Sequence, residues 1–127
     1  MRVLLADDQA KVRSALELLL KQEPEMEVVG EVAEAESLLA QVRGVRPDLV
    51  LLDWELPGLS YDDLFSAMRS LCAATKVVAL SGRPGVRQAA IDAGADAFVS
   101  KGDPPERLLA ALHALSAQVK GRGKHDV

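Results

Sequence analysis

Five polar side chains stand directly after short apolar runs. Asp7 and Asp8 follow VLLA, Asp53 follows LVLL, Ser81 follows VVAL and Lys101 follows AFVS. Taken singly each has a bland reading. An Asp or Ser at the end of a strand is usually a turn or capping residue, and a Lys there is usually solvated. Taken together they are harder to dismiss. If the first and third apolar runs are neighbouring strands, three carboxylates converge on one rim, where like charges are unfavourable. A hard divalent cation relieves that conflict, since Mg²⁺ combines one or two carboxylates with waters and phosphate oxygens. Carboxylates for a metal, a hydroxyl and an ammonium are equipment for phosphoryl transfer, where catalysis is mostly positioning and charge neutralisation.

The elements that must position these groups are legible in the hydrophobic pattern. Apolar runs at Val3–Ala6, Val28–Val32, Leu49–Leu52, Val77–Leu80 and Ala97–Val99 are mostly continuous rather than alternating, as in parallel strands covered on both faces. Helix-period stripes lie between and after them: Val12, Ala15, Leu16, Leu19 and Leu20; Ala35, Leu38, Leu39 and Val42; Leu64, Phe65, Met68, Leu71 and Cys72; Val86, Ala89, Ala90 and Ala93; Leu108, Leu112, Leu115 and Val119. Asp103 before Pro104 and Pro105 reads as an N-cap with proline in the first turn, and Gly94 as a helix stop. Five strand–helix alternations predict an α/β fold with a doubly wound parallel sheet and right-handed crossovers. In such sheets ligands bind beyond the carboxyl ends of the strands, where the strand order reverses.

Composition narrows the function classes. The 127 residues suit one domain, and a net charge of −4 gives no broad electrostatic footprint for nucleic acid. The single cysteine excludes an internal disulfide framework and fits a reducing compartment. No apolar run approaches the roughly 18–20 residues needed to span a bilayer, and acids cut off the short apolar N-terminus, so a cytoplasmic location is expected.

At this point the chain resembles the receiver domain of bacterial two-component response regulators. The resemblance rests on the acidic pair in LLADDQ, Asp53 in LVLLDWELPG, Ser81 in VVALSGR and Lys101 in AFVSKGDPP. It spans residues 1–119, leaving 120–127 as a flexible tail or the start of a linker. It implies a flavodoxin-like (βα)5 fold with strand order 2-1-3-4-5. It also implies a signalling switch rather than a turnover enzyme. Asp53 would accept a phosphoryl group from a sensor histidine kinase or phosphotransfer protein. Asp8, Asp53 and the backbone carbonyl of Glu55 would bind Mg²⁺ or Mn²⁺, with Asp7 contributing through water. Lys101 would pair with Asp53 at rest and with a phosphoryl oxygen afterwards, Ser81 would hold another phosphoryl oxygen, and Phe98 would be the switch aromatic. Glu55 and Arg83 would tune dephosphorylation, Glu55 acting through its backbone more than its charge. The surface of the fourth helix, fifth strand and fifth helix would be read by an output domain or partner, or form a homodimer there or through other helical faces.

Three features depart from the family pattern. Tyr61 stands where many receivers have glycine, eight residues after the phosphoacceptor, Ser81 replaces the commoner threonine, and Phe98 lacks the hydroxyl that a tyrosine would carry, so a switch hydrogen bond is unavailable. Two other classes compete. A flavin- or nucleotide-binding protein of similar fold needs a phosphate cradle after the first strand, where this chain has Asp7 and Asp8. A metal-dependent phosphatase would carry a substrate-gating insertion, and none is visible. A degenerate receiver acting without phosphate is disfavoured by the complete site. The segment GDPPERLLAALHAL resembles receivers that precede LuxR-type helix-turn-helix domains, so either a stand-alone receiver or the receiver half of a transcription regulator is expected. Any DNA contact would belong to that output domain.

Overall fold

The computed structural model describes the backbone of residues 1–125 and the side chains of residues 1–119. Five strands, β1 (Arg2–Ala6), β2 (Glu27–Val32), β3 (Leu49–Asp53), β4 (Lys76–Ser81) and β5 (Ala97–Ser100), alternate with five helices, α1 (Ala10–Lys21), α2 (Ala35–Val45), α3 (Tyr61–Leu71), α4 (Arg87–Ala93) and α5 (Pro105–His125). The strands form one parallel sheet in the order β2-β1-β3-β4-β5. The expected α/β class, strand order and helix number are all present.

The continuous apolar runs resolve into two faces by the two-residue strand period. Leu4, Val50, Leu52, Val77 and Ala79 face α2, α3 and α4, where Leu38, Val42, Leu64, Phe65 and Met68 complete one core. Val3, Leu5, Leu49, Leu51, Val78 and Leu80 face the other way, against Leu20, Leu108, Leu112 and Leu115 of α1 and α5. Central β3 is buried along its whole length, Asp53 included. Truncating one of its leucines, such as Leu51→Ala, removes packing from the core under α1 and α5, at a cost of about 2–5 kcal/mol.

Local chemistry sets the element ends. Gly94 closes α4 at φ 125°, where only glycine sits without strain, and Ala95 then donates to the Ala90 carbonyl. Asp103 is not the cap of α5. The helix begins at Pro105, and the Asp103 carboxylate instead accepts from the Ser100 backbone amide at 3.3 Å, closing the turn after β5. The α1 stripe is less buried than its pattern suggests: only Leu20 is covered, while Val12, Leu16 and Leu19 line a groove against Leu108 of α5. Helix α5 continues to His125, so 120–125 are helical, and 126–127 lie outside the described residues. Among the described residues no helix is long and apolar enough to cross a membrane.

The strand order places the site. β1 and β3 are adjacent, with Ala6 opposite Leu52, and β4 flanks β3 on the other side, with Asp53 opposite Leu80. Asp7, Asp53 and Ser81 therefore reach the same rim, and Ser100 pairs with Ser81 to bring Lys101 beside them.

Candidate functional site

Asp7 leaves β1 with its amide still bonded to the Val32 carbonyl of β2 at 3.0 Å, so its position is fixed by the sheet. One carboxylate oxygen accepts from the Gln9 amide at 2.8 Å, the turn role expected of an Asp at a strand end. The other accepts from Lys101 Nζ at 3.0 Å. The same ammonium lies 3.3 Å from Asp53 Oδ1. Lys101 thus bridges two carboxylates that are each 1–2% exposed. Its shorter contact is with Asp7, a partner that sequence reasoning missed because it depends on side-chain reach across the rim.

Asp53 Oδ1 also accepts from the Glu55 amide at 3.0 Å. Burial is the main influence on the Asp53 carboxyl and raises its pKa. The Glu55 backbone amide pulls it back, the Glu55 and Asp7 carboxylates push it further up, and Lys101 opposes them; the net shift is upward. For Lys101, burial works against the ammonium, but the Asp7 hydrogen bond and the charges of Asp53 and Asp7 outweigh it, so its pKa stands above the usual lysine value.

Asp8 is exposed beside this pair. Asp7, Asp8 and Asp53 each offer a carboxylate oxygen, and those oxygens lie within 4.8 Å of one another. Three hard oxygen donors at that spacing, two supported by the fold and one open to solvent, match the preference of Mg²⁺ for carboxylate and water.

Ser81 is fully buried and sits on the other side of Asp53. Its hydroxyl donates to Glu55 Oε1 at 2.8 Å and accepts from the Arg83 amide at 3.0 Å. Arg83 Nε lies 3.9 Å from the same Glu55 oxygen. The Glu55 carboxylate thus contacts both Ser81 and Arg83, while its amide is bonded to Asp53. The signal was available in principle, since Glu55 follows the acid closely and β4 is the next strand, but the bond spans 26 residues and rests on one rotamer.

Phe98 is half-buried on β5, away from the acids. The Arg87 guanidinium lies over its ring at 5.3 Å. Tyr61, the first residue of α3, stacks on Trp54 with ring centroids 3.8 Å apart and planes 7° from parallel. The chain has one Trp, one Tyr and two Phe, so half of its aromatic rings are in this one stack. Their separation by seven residues across a loop gave no periodic signal for the contact.

A five-stranded sheet in this order, with acids at the β1 and β3 ends and a lysine after β5, defines a receiver fold. The family model of the response regulator receiver domain matches residues 3–113, and the chain belongs to that family. Among curated proteins it is 32% identical over 117 residues to the nitrate/nitrite response regulator protein NarL of Escherichia coli (strain K12), covering 91% of this chain and 54% of that one. It is 33% identical over 114 residues to the transcriptional regulatory protein UhpA of Salmonella typhimurium, covering 90% and 58%. The chain thus spans about half the length of these relatives. Among solved structures, a LuxR-family two-component response regulator from Aurantimonas sp. SI85-9A1 superposes with a TM-score of 0.82 at 30% identity, covering 91% of this chain and 85% of that one. Receiver domains are phosphorylation-controlled signalling switches that work with histidine kinases and output domains, and they generally bind Mg²⁺ at an acidic pocket such as Asp7, Asp8 and Asp53 form here.

Proposed function

We propose that Asp53 is the phosphoacceptor of this domain. The observation that carries the reading is the single ammonium of Lys101 held between Asp7 and Asp53, 3.0 and 3.3 Å away, beside the open carboxylate of Asp8. An Asp53 oxygen attacks the phosphorus of a phosphohistidine on a kinase or phosphotransfer protein. The new P–O bond forms as the P–N bond breaks, and the imidazole leaves and takes up a proton. Asp7, Asp8, Asp53 and the Glu55 carbonyl would hold Mg²⁺, which supplies charge neutralisation for the transferring group. Lys101 is already held at the rim by Asp7, so it can turn to a phosphoryl oxygen without reorganising the fold.

The switch follows from hydrogen-bond arithmetic. A serine hydroxyl has one proton to donate. Ser81 donates it to Glu55 at rest. To donate to a phosphoryl oxygen it must release Glu55, which leaves that carboxylate to Arg83. An aspartyl phosphate carries about −2 charge and strong acceptors, enough to compete for the hydroxyl. The loop after β4 then moves with Ser81, and the surface of α4, β5 and α5, where Arg87 covers Phe98, changes with it. Similarity to NarL, UhpA and a LuxR-family regulator supports a transcriptional output through a DNA-binding domain outside this chain, with cytoplasmic action.

Incubation with Mg²⁺ and acetyl phosphate should add one phosphate by intact mass, and Asp53→Asn should abolish the addition. An unmodified wild-type mass under those conditions sinks the assignment. Mg²⁺ alone should change Trp54 fluorescence saturably, because the indole follows Asp53 directly; a flat titration counts against the cation site.

A further inference from the structure

Arg13 has no part in the phosphoacceptor reading, yet it is bonded directly to the acidic pair. Its Nη1 donates to the Asp7 backbone carbonyl at 2.6 Å, and its Nε donates to Glu31 Oε1 at 3.1 Å. Arg13 stands at the end of the first turn of α1, and its own amide is bonded to the Gln9 carbonyl at 3.1 Å. The side chain therefore reaches back from α1, over the end of β1, to the edge strand β2. A guanidinium suits that span. Its planar fork aims two donors at two acceptors at once, and both bonds are charge-assisted. The Arg13 side chain is 20% exposed, which sets this bridge apart from a loose surface pair.

The carbonyl it holds is in a telling place. It belongs to the peptide unit that joins Asp7 to Asp8, and that unit is planar. Fixing its oxygen fixes the plane from which both acids leave the backbone. Asp7 is held elsewhere too: its amide by the Val32 carbonyl at 3.0 Å, one carboxylate oxygen by the Gln9 amide at 2.8 Å and the other by Lys101 at 3.0 Å. Asp8 is exposed, and among the described residues no hydrogen bond or ion pair holds its side chain. Its placement falls to the peptide before it. Oxygens of Asp7, Asp8 and Asp53 lie within 4.8 Å of one another, and their like charges push the exposed member outward.

Resting on the reading that Asp7, Asp8 and Asp53 hold a divalent cation, we propose that Arg13 is a positioning residue: a strap from α1 across the Asp7–Asp8 peptide to β2 that keeps the acidic pair gathered with Asp53 and so sets the affinity for the cation. Removing it has two effects of opposite sign. Taking a positive charge away from three carboxylates tightens cation binding. Freeing the peptide lets the acids spread and weakens it. The second effect is the larger, because Glu31 already offsets the guanidinium charge while the bond to the Asp7 carbonyl is short and direct.

Mg²⁺ titrations of the intact chain, followed by Trp54 fluorescence, read the affinity apart from any phosphate chemistry. Arg13→Ala should raise the Mg²⁺ midpoint about tenfold, the lower end of what the outer partners of metal ligands contribute. Arg13→Lys keeps the charge but not the fork, and should come back to within about threefold of wild type. At saturating Mg²⁺, Arg13→Ala should still gain one phosphate from acetyl phosphate, because Asp53 and Lys101 are carried by β3 and the end of β5. Arg2→Ala is the control. Arg2 bonds the Val45 and Arg46 carbonyls at the opposite end of β1, at 2.8 and 3.1 Å, so its loss should lower the melting temperature and leave the midpoint in place. If Arg13→Ala does not fold, Arg13→Met, which keeps the packed stem without the donors, carries the same expectation. An unchanged or lower midpoint in the truncated variant overturns the strap while leaving the cation site. An equal rise in Arg2→Ala overturns it as well, by making the effect one of overall stability. A folded Arg13→Ala that gains no phosphate at any Mg²⁺ concentration, where wild type does, overturns it by giving Arg13 a role in the transfer itself. A flat wild-type titration removes the cation reading and this inference together.

Discussion

The loop after β3 and the loop after β4 both leave the sheet at the same rim, yet they are built to opposite specifications. The β3–α3 loop is stitched down. Leu56 donates back to the Asp53 carbonyl, the Pro57 carbonyl accepts from Ala35 of α2, and Trp54 and Tyr61 stack across it. Gly58 sits at φ 123°, and a Cβ there would come within 2.9 Å of the Ala35 Cβ. The β4–α4 loop has no comparable anchors. Gly82, Arg83, Pro84 and Gly85 are exposed, and a Cβ added at Gly82 or Gly85 meets nothing within 4 Å. The helix it leads to has seven residues and buries only Ala90. The contrast teaches a division of labour. The half that holds the acid is fixed, and the half that must report its state is held by a few polar contacts, the low-stability end from which moving elements are drawn.

The comparison is broken most directly at the glycines. Gly58→Ala should cost about 3 kcal/mol, from left-handed backbone strain plus the clash with Ala35, whereas Gly82→Ala should stay within about 0.5 kcal/mol. Urea denaturation of the pair measures both, and equal effects would erase the distinction between the loops. Lys101→Ala comes next. It leaves Asp7 and Asp53 buried side by side without their cation, at about 2 kcal/mol, less than the roughly 3–5 of a fully buried pair because the Lys101 side chain is 25% exposed. Without the ammonium the Asp53 carboxyl resists ionisation further, so the loss should shrink as pH falls and Asp53 takes up a proton. A loss independent of pH would mean that Lys101 acts through packing.

Asp53→Asn tests the fixed half from the opposite direction. Its carboxyl has a pKa raised in the folded protein, chiefly by burial. A group of this kind contributes stability that is complete below the ordinary aspartate range and is lost as pH rises through the folded value. Above that value, and without divalent cation, the buried charge is unfavourable. The amide variant should therefore melt a few degrees higher than wild type, with the gap closing toward about pH 4. A variant that melts lower at neutral pH would show that the Lys101 pairing outweighs the burial.

What the sequence disclosed follows the same divide. Asp7, Asp8, Asp53, Ser81 and Lys101 were legible because a charge or hydroxyl ending an apolar run is a one-dimensional signal, and parallel strand order turns four such endings into one rim. The two-face split of the core was legible for the same reason. The Ser81–Glu55 bond and the Trp54–Tyr61 stack were not, because each depends on side-chain direction across a loop and no periodicity encodes that. Asp103 looked like a helix cap from its prolines, but its carboxylate found the Ser100 amide nearer. The continuation of α5 to His125 runs against the glycines at 121 and 123, since extending an existing helix adds a bond per residue while only starting one is costly.

The smallest effect tests how the mobile half is held. Arg87 opens α4 and its guanidinium covers Phe98 of β5 at 5.3 Å, one of the few contacts tying that short helix to the sheet beside Ala90. A cation over an aromatic face at a half-exposed site is worth about 0.5–1 kcal/mol. Arg87→Ala should lower global stability by no more than that. Its larger consequence should be local, since α4 opens without unfolding the sheet. Amide exchange in Gln88–Ala93 should quicken several-fold while the amides of Leu49–Leu52 keep their protection. Equal acceleration in both segments would show that α4 is as firmly coupled to the core as β3, and the contrast between the two halves of the rim would fail.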